Sequence, residues 1–479
     1  MTFAIKMLAL IMLWPSFIPQ TQASTLPGET PIEFETRSGE VVEAFQGQLE
    51  VPSNWQVETE YRLTLRYVRF PQINGHGGAP IVYLAGGPGG SGIATARAQR
   101  FPLFMALREF GDVIAFDQRG TGESTSLPAC TSDQIVDDNT RYSDEAYDAL
   151  YRAAAEQCLT EWTDQGIRPQ DWTTTQSVGD LNALRKHLGA EKISLWGISY
   201  GSHLALAAIN AMDDRIDRVV LASVEGLDQT VKRPSRTDAY FQDLQQAINT
   251  REDLREQYPD IVRMMRRVQA NLDDEPMRIS VTPPEGMPYE FLLERRDIQQ
   301  YTSMMIADPR FALRLLDLYR AIDAGLSEPV AELLANVNRH NVPIRFAVMP
   351  FFMDIASGID PQARSAFDIE SQTGLVGRYL NYPMPQLHDA VPELDLGTEF
   401  RTAPISDVPT LVLTGTLDGR TYPESQREAV AGLTKAEITI VENAGHNLFM
   451  SSPAVTERIQ AFMRGQQGAH RIVVEDWES

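Results

Sequence analysis

The chain has 479 residues, of which 43% are hydrophobic, 8% aromatic and 22% charged. These proportions describe a globular protein and exclude a collagen-like, low-complexity or wholly disordered chain. The 42 basic and 65 acidic residues give a formal charge of -23, which repels phosphate backbones and anionic lipid surfaces and so argues against a nucleic-acid partner. The length accommodates about three domains, or one large domain with an insertion.

Residues 1–23 have the pattern of an export signal. Lys6 precedes the apolar run 7–14, and the small-x-small sequence Thr21–Ala23 predicts cleavage before Ser24. The alternative is a membrane anchor, but the run is shorter than the ~20 apolar residues that span a bilayer. No cysteine follows for lipid attachment. We therefore expect an exported protein, periplasmic or secreted, without membrane insertion.

The remaining chain alternates predicted strands with predicted helices. Two segments, 41–51 and 61–70, are β-rich. Short continuous apolar runs, typical of strands buried on both faces, follow at 81–84, 113–116, 193–196, 219–222, 411–414 and 438–441. Helical periodicity lies between them at 178–188, 202–212 and 425–433. This alternation predicts an α/β fold, with a mostly parallel sheet and helices on both faces.

The long segment 228–395 differs, because amphipathic helical stretches replace the alternation. A Pro-rich turn at 283–286 predicts a junction between two short strands. We expect this segment to form a mainly helical cap inserted between two core parts, 24–227 and 396–479. Its methionine and aromatic side chains are expected mostly in the core. An insertion at the C-terminal end of a strand is placed to roof an active site.

Cys130 and Cys158 are the only two cysteines, so their pairing has one solution. In an oxidising compartment a bridge closing this loop would contribute ~3–4 kcal/mol. Because the chain carries a predicted export signal, we expect a disulfide between them, and the alternative is a pair of buried free thiols. No His or Cys stands at ligand spacing from them, so we expect no metal site.

The sequence Gly197–Gly201 has the form G-x-S-x-G and joins a buried strand to a helix. This context is typical of a nucleophile elbow, which exposes the hydroxyl of Ser199 on a tight turn. The helix N-terminus behind the serine favours developing negative charge. An ordinary Gly/Ser turn is the alternative, and the strand–turn–helix context favours catalysis.

A serine nucleophile needs a base, and in hydrolases with a nucleophile elbow the acid and then the histidine follow the serine along the chain. Of the seven histidines, position and order select His446, in the loop after the last buried strand. Asp418 follows the preceding strand and is the predicted acid, although an Asp-Gly pair is also common in turns. The Tyr200 backbone N–H is the predicted first oxyanion donor.

The Gly-rich segment 85–92 follows the strand 81–84, where a second oxyanion donor is expected. A phosphate-binding loop is the competing interpretation, but no Gly-Lys-Ser/Thr follows. The motifs Gly86–Gly90, Asp117–Ser124 and Gly197–Gly201 together resemble the α/β-hydrolase branch of proline iminopeptidases and tripeptidyl aminopeptidases. Asp418 and His446 match that pattern.

The resemblance covers most of residues 40–225 and 400–465. It implies Gly87 as the second oxyanion donor, a cap over the site, and a structural role for Asp117–Ser124. Ala85 stands where many family members have a histidine, and no motif of the family is found in the insertion. The choice of substrate is therefore left open.

The motifs predict a serine hydrolase that acts through an acyl-enzyme without a cofactor, and the resemblance implies that it removes N-terminal residues from peptides. A carboxylesterase acting on small acyl esters with the same triad is the alternative. A binding protein that lost catalysis and a peptidase cutting within long chains are the other rivals. For recognition of the substrate amine we expect Glu225, or Asp228 three residues later, although either residue is equally suited to a capping or hinge role.

Overall fold

The computed structural model describes residues 25–73, 75, 77–283, 287–335 and 341–477. The predicted export signal at 1–23 lies outside these residues. None of the described helices combines the length and apolar character needed to cross a bilayer.

The strands are β1 (Thr30–Glu35), β2 (Val41–Pro52), β3 (Arg62–Phe70), β4 (Ile81–Leu84), β5 (Val113–Asp117), β6 (Cys130–Ile135), β7 (Ile193–Ser199), β8 (Ile216–Val224), β9 (Met277–Val281), β10 (Tyr289–Leu293), β11 (Pro343–Phe346), β12 (Thr410–Gly415), β13 (Ala436–Glu442) and β14 (Arg471–Val473).

The helices are α1 (Gly92–Ala96), α2 (Phe101–Leu107), α3 (Asp144–Asp164), α4 (Thr174–His187), α5 (Tyr200–Met212), α6 (Pro234–Asn249), α7 (Glu252–Gln257), α8 (Ile261–Asp274), α9 (Arg295–Met305), α10 (Pro309–Asp323), α11 (Ser327–Leu334), α12 (Val348–Ser357), α13 (Pro361–Glu370), α14 (Met384–Leu387), α15 (Gly397–Phe400), α16 (Pro423–Ala429) and α17 (Pro453–Met463).

Ten strands form one sheet in the order β1-β2-β3-β5-β4-β7-β8-β12-β13-β14. The pairs from β5 to β14 are parallel, whereas β1, β2 and β3 form an antiparallel edge. The predicted α/β fold with a mostly parallel sheet is therefore confirmed. Every strand predicted from an apolar run is present in this sheet.

The sheet is buried on both faces, which explains the continuous apolar runs of its central strands. In β4, Val82 and Leu84 pack in the cluster on one face, and Ile81 and Tyr83 pack in the cluster on the other. Side chains of a strand alternate between faces, so every residue of such a strand meets a packed helix layer.

The segment between β8 and β12 packs in two places. Helices α6, α8, α9 and α10 form a hydrophobic core of their own, together with β9 and β10. The later α12 instead joins the cluster on one face of the main sheet, through residues such as Phe352 and Met353. The bounds 228 and 395 of the predicted cap stay a prediction. Strands β9 and β10 pair antiparallel on either side of the predicted turn, of which 284–286 lie outside the described residues.

Cys130 and Cys158 form a disulfide with a Cα–Cα distance of 5.5 Å, as predicted. The bridge ties β6 to α3, and both cysteines are fully buried. Strand β6 also pairs with β11, so the strand that carries Cys130 connects the main domain to the inserted segment.

The candidate residues converge because parallel strands end at the same edge of the sheet. In the register of the sheet, Trp196 of β7 lies opposite Tyr83 of β4 and Val220 of β8. The loops after β4, β7, β8, β12 and β13 therefore leave the sheet side by side. These loops carry the Gly-rich segment, Ser199, Glu225, Asp418 and His446.

Candidate active site

Ser199 lies at the junction of β7 and α5 with φ 56° and ψ -129°. An L-residue rarely adopts this backbone conformation, and its strain of about 1–3 kcal/mol is characteristic of functional positions. The tight turn places the serine at the N-terminus of α5, where the first N–H groups have no partner within the helix. This is the geometry of a nucleophile elbow.

The glycines around the serine are required by close backbone contacts. A Cβ at Gly197 would lie 2.6 Å from the carbonyl oxygen of Gly201, and one at Gly201 would lie 2.1 Å from the carbonyl oxygen of Leu84. Both separations are far below van der Waals contact. The turn therefore needs glycine at both positions of the motif.

Asp418 and His446 form a hydrogen-bonded pair, with His446 Nδ1 at 3.0 Å from both carboxylate oxygens. The carboxylate also accepts hydrogen bonds from the Arg420 N–H at 2.8 Å, the Thr421 N–H at 2.9 Å and the Thr421 hydroxyl at 2.7 Å. The Asp418 side chain is 0% exposed. This contact leaves Nε2 as the imidazole nitrogen available to act as a base.

The pKa of Asp418 is below its usual value. Burial by itself would raise this pKa, but the charge of the His446 imidazolium and the hydrogen bonds from His446 and Thr421 outweigh burial. The carboxylate is thus ionised at neutral pH. An ionised acid at this position stabilises the imidazolium that forms when His446 accepts a proton.

The Gly-rich loop packs directly against the serine. A Cβ at Gly86 would lie 3.1 Å from Ser199 Cβ, and Gly87 has φ 131°, a conformation that favours glycine. The Gly90 N–H donates to the Gly86 carbonyl at 3.0 Å and closes the turn. The backbone of this loop therefore lies against Ser199, and the assignment of Gly87 and Tyr200 as oxyanion donors stays a prediction.

The motif Asp117–Ser124 holds that loop in place, consistent with its implied structural role. Asp117 accepts hydrogen bonds from the Ser91 hydroxyl at 2.6 Å and the Ile93 N–H at 3.0 Å. Gln118 Nε2 donates to the Ala85 carbonyl at 3.0 Å. Arg119 anchors the motif through a fully buried ion pair with Asp180 at 2.6 Å.

A cavity of about 740 Å³ opens above these loops. Ser199, His446 and Gly87 line it, together with Met304 and Tyr382 from the inserted segment. Its volume falls in the range of small-molecule and short-peptide sites. Met304 is 58% exposed, so this methionine lies on the cavity wall, unlike the buried methionines of α12.

Glu225 lines the same cavity and forms a buried ion pair with Lys232. Burial by itself would raise the pKa of Glu225, but the positive charge of Lys232 outweighs it and the pKa is lowered. Asp354 of α12 also lines the cavity. Burial, with a further contribution from the charge of Glu225, raises the pKa of Asp354 to about 7. One wall of the cavity thus carries two carboxyl groups, the ammonium group of Lys232 and the guanidinium of Arg420.

Asp228 does not reach this cavity. Its side chain is exposed and lines an adjoining cavity of about 480 Å³, which shares Glu225, Lys232 and Arg420 with the first. Of the two residues predicted to bind the substrate amine, the structure therefore places only Glu225 beside Ser199 and His446.

Backbone hydrogen bonds tie the inserted segment to both catalytic loops. The His446 N–H donates to the Ala307 carbonyl at 2.7 Å, and the Gly419 N–H donates to the Ile306 carbonyl at 3.1 Å. The Arg420 guanidinium donates to the Ser303 carbonyl at 3.0 Å. The acid and the histidine are therefore positioned partly by the turn between α9 and α10.

Four charged side chains that line the cavity were not predicted from the sequence: Lys232 and Asp354 of the inserted segment, and Arg100 and Arg420 of the main domain. One signal was present for Asp354, because it is the only charged residue in the apolar helix α12. Burying a lone carboxylate costs free energy unless the folded protein or a ligand supplies it with a charged or hydrogen-bonding partner.

Two family models match the chain. One, described as alpha/beta hydrolase fold, matches residues 79–276, and the other, described as TAP-like protein, matches residues 395–470. These two ranges contain Ser199, Asp418 and His446. The segment between 277 and 394 lies in neither match.

Curated relatives give a consistent result. The tripeptidyl aminopeptidase of Streptomyces lividans is 27% identical over 34% of this chain and 30% of its own length. The serine protease Hip1 of Mycobacterium bovis is 28% identical over 42% of this chain and 40% of its own length. The proline iminopeptidase of Arabidopsis thaliana is 29% identical over 34% of this chain and 30% of its own length.

These matches thus cover only 30% to 40% of the relatives' own length. The chain has the α/β-hydrolase fold, and the two family models and the curated relatives together support a serine peptidase family within that fold.

Proposed function

We propose that this protein is a serine aminopeptidase that cleaves N-terminal residues from peptides through a Ser199–His446–Asp418 triad. The observation that carries the proposal is the composition of one cavity. It holds a strained serine, a histidine bound to a buried carboxylate, and a separate acidic wall suited to an ammonium group. An exported location is part of the proposal, and the buried disulfide is compatible with it.

The proposed mechanism begins when His446 Nε2 removes the proton of Ser199 as the hydroxyl attacks the scissile carbonyl. The backbone N–H groups of Tyr200 and Gly87 bind the oxyanion of the tetrahedral intermediate. His446 then gives the proton to the leaving amine, and the acyl-enzyme forms. Water, activated by the same imidazole, releases the N-terminal fragment and restores Ser199.

Recognition of a free N-terminus requires a partner for the α-ammonium group, and a buried carboxylate provides a charge-assisted hydrogen bond. Glu225 is already paired with Lys232, whereas no ion pair or side-chain hydrogen bond involves Asp354 among the described residues. We propose that the ammonium group binds between these two carboxylates. Lys232 then keeps Glu225 ionised, and the incoming charge favours ionised Asp354.

The test compares a 4-nitroanilide substrate that has a free amine with its N-acetylated counterpart. We expect the unmodified protein to prefer the free amine, and Glu225→Gln or Asp354→Asn to reduce that preference by ~1.5–3 kcal/mol in kcat/KM, because each removes a charged acceptor. Asp228→Asn is the matched control, since Asp228 lies outside the cavity. Preference of the unmodified protein for the N-acetylated substrate would contradict the aminopeptidase proposal.

The same preference is expected to change with pH. Because the pKa of Asp354 is about 7, its carboxylate becomes ionised as the pH rises from 6 to 8. The rate ratio of free-amine to N-acetylated substrate should rise over this interval, until the substrate amine loses its own proton. Taking the ratio cancels any pH dependence of the catalytic steps that both substrates share. A ratio that does not change with pH would exclude Asp354 from amine recognition.

A carboxylesterase is the second candidate, because the same triad and oxyanion hole act on an ester carbonyl. Measuring the rates on a small neutral ester and on an aminoacyl nitroanilide distinguishes the esterase from the aminopeptidase. An esterase would cleave the ester rapidly and would leave every amide intact, and Glu225→Gln would then have no selective effect.

A further inference from the structure

Arg100 occupies a part of the cavity that the proposed mechanism does not use. It directly precedes α2 and is only 9% exposed, yet it lines the cavity together with Tyr83 and Asn447. Its guanidinium donates hydrogen bonds to the Tyr83 hydroxyl and to Asn447 Oδ1. The ring centroids of Tyr83 and Phe449 lie 5.5 Å and 5.2 Å from it.

In the part of the chain that the structure describes, Arg100 has no carboxylate partner, and its buried Nε has no hydrogen-bond acceptor. Arg119 and Arg458, which are also buried, are neutralised by Asp180 and Glu437. Arg185 is as buried as Arg100 and has no carboxylate partner among the described residues either, but it lies outside the cavity. A buried positive charge without a counterion is costly, and aromatic faces and neutral acceptors offset only part of that cost. The surroundings of Arg100 therefore suit an anion.

The position of Arg100 indicates which part of a substrate would supply that anion. Its partner Asn447 directly follows His446, and the general acid must touch the nitrogen of the leaving group. The leaving group therefore lies on the side of the cavity where Arg100 is found. Glu225 and Asp354 share no hydrogen bond or ion pair with Arg100 among the described residues, so neither carboxyl group of the proposed amine site neutralises Arg100.

We propose that Arg100 binds the α-carboxylate of the leaving peptide, so that the substrates are short peptides with both termini free. This inference rests on the aminopeptidase function proposed above. A guanidinium forms two parallel charge-assisted hydrogen bonds with a carboxylate, which gives orientation as well as affinity. A long polypeptide has no α-carboxylate within a residue or two of its N-terminal bond and would lack this interaction.

The experiment measures kcat/KM on pairs of peptides that differ only at the C-terminus. Each pair carries the N-terminal group that is cleaved best as a nitroanilide, followed by one or two alanines, and ends in a free carboxylate or an amide. We expect the unmodified protein to prefer the free acid by about 10- to 100-fold in at least one pair. Arg100→Met should reduce the ratio to about one, and Arg100→Lys should restore part of it.

The ratio is taken within each variant, so a general loss caused by disturbing Tyr83 or Asn447 cancels. Arg97→Met is the matched control, because Arg97 lies on the same segment but contacts the Glu35 carbonyl and the Phe34 ring outside the cavity. It should keep the ratio of the unmodified protein. A third peptide, with aspartate before a C-terminal amide, tests whether a side-chain carboxylate serves instead.

Equal rates on acid and amide in the unmodified protein, or a preference that survives in Arg100→Met, would overturn the inference. Rapid cleavage of the aspartyl amide that depends on Arg100 would overturn the assignment to the terminal carboxylate. These results would leave the aminopeptidase proposal standing. If no peptide or nitroanilide were cleaved and only esters were, the aminopeptidase function and this inference would both be wrong.

Discussion

Replacing Ser199 with alanine is expected to lower kcat by about 10⁴- to 10⁶-fold, because the substitution removes the nucleophile on which the acyl-enzyme depends. The residual rate would come from the oxyanion donors and from substrate binding. Steady-state kinetics on the best nitroanilide substrate measure the loss. Retention of most of the activity would show that another residue is the nucleophile.

The fold should survive this substitution, and a second variant tests the reason. Alanine at 199 keeps the backbone at φ 56°, so its strain is the same as that of serine. Ser199→Gly relieves strain of about 1–3 kcal/mol, against an entropic cost of about 0.5–1 kcal/mol. We expect both variants to be inactive and the glycine variant to be at least as stable as the alanine variant in chemical denaturation.

Asp418→Asn is expected to lower kcat by about 10⁴-fold with little change in the size of the side chain. The aspartate accepts the Nδ1–H of His446, and it is held for that purpose by two backbone N–H groups and the Thr421 hydroxyl. An amide loses the negative charge and can present an N–H to Nδ1. The imidazole would then favour the wrong tautomer and lose stabilisation of its charged form.

Thr421→Val is the graded control for this prediction. It removes one hydrogen bond to Asp418 but leaves the carboxylate, the two backbone donors and His446 in place. A loss of about 10-fold in kcat is expected, since one hydrogen bond to a charged group is worth about 1.5–3 kcal/mol at most. Equal losses in the two variants would mean that Asp418 acts mainly by holding the loop.

The sheet could be predicted because local sequence determines it, and local sequence also indicates the residues of the proposed triad. Buried parallel strands are continuous apolar runs, and the elbow needs glycines that the sequence displays around Ser199. The order of acid and histidine after the serine then selects Asp418 and His446. Strand β6 was not predicted, because its partner β11 is about 200 residues away and neither strand is an apolar run.

The substrate wall of the cavity could not be predicted, because it is assembled from distant segments. Asp354 reaches Glu225 only through the packing of α12 on the main sheet. Arg100 becomes an isolated charge only because the folded chain brings it to Asn447 and away from any described carboxylate. Neither the proximity of Asp354 to Glu225 nor the contact of Arg100 with Asn447 follows from a fixed spacing along the sequence. Substrate recognition therefore becomes accessible only once the tertiary packing is known.

The turn between α9 and α10 extends the site beyond the triad. Its Ile306 and Ala307 carbonyls accept hydrogen bonds from Gly419 and from His446 itself. A change in the position of the inserted segment would therefore move the acid and the histidine as well as the cavity wall. The position of this segment and the geometry of the Asp418–His446 pair are thus physically connected.

The most direct test of the proposed triad is labelling with a fluorophosphonate, followed by mass spectrometry of the digested protein. A fluorophosphonate reacts with a serine that a neighbouring base activates. We expect a single adduct on Ser199 in the unmodified protein, none at that position in Ser199→Ala, and strongly slowed labelling in His446→Ala. An unlabelled Ser199 in folded protein, or an adduct that persists undiminished in Ser199→Ala, would contradict the account.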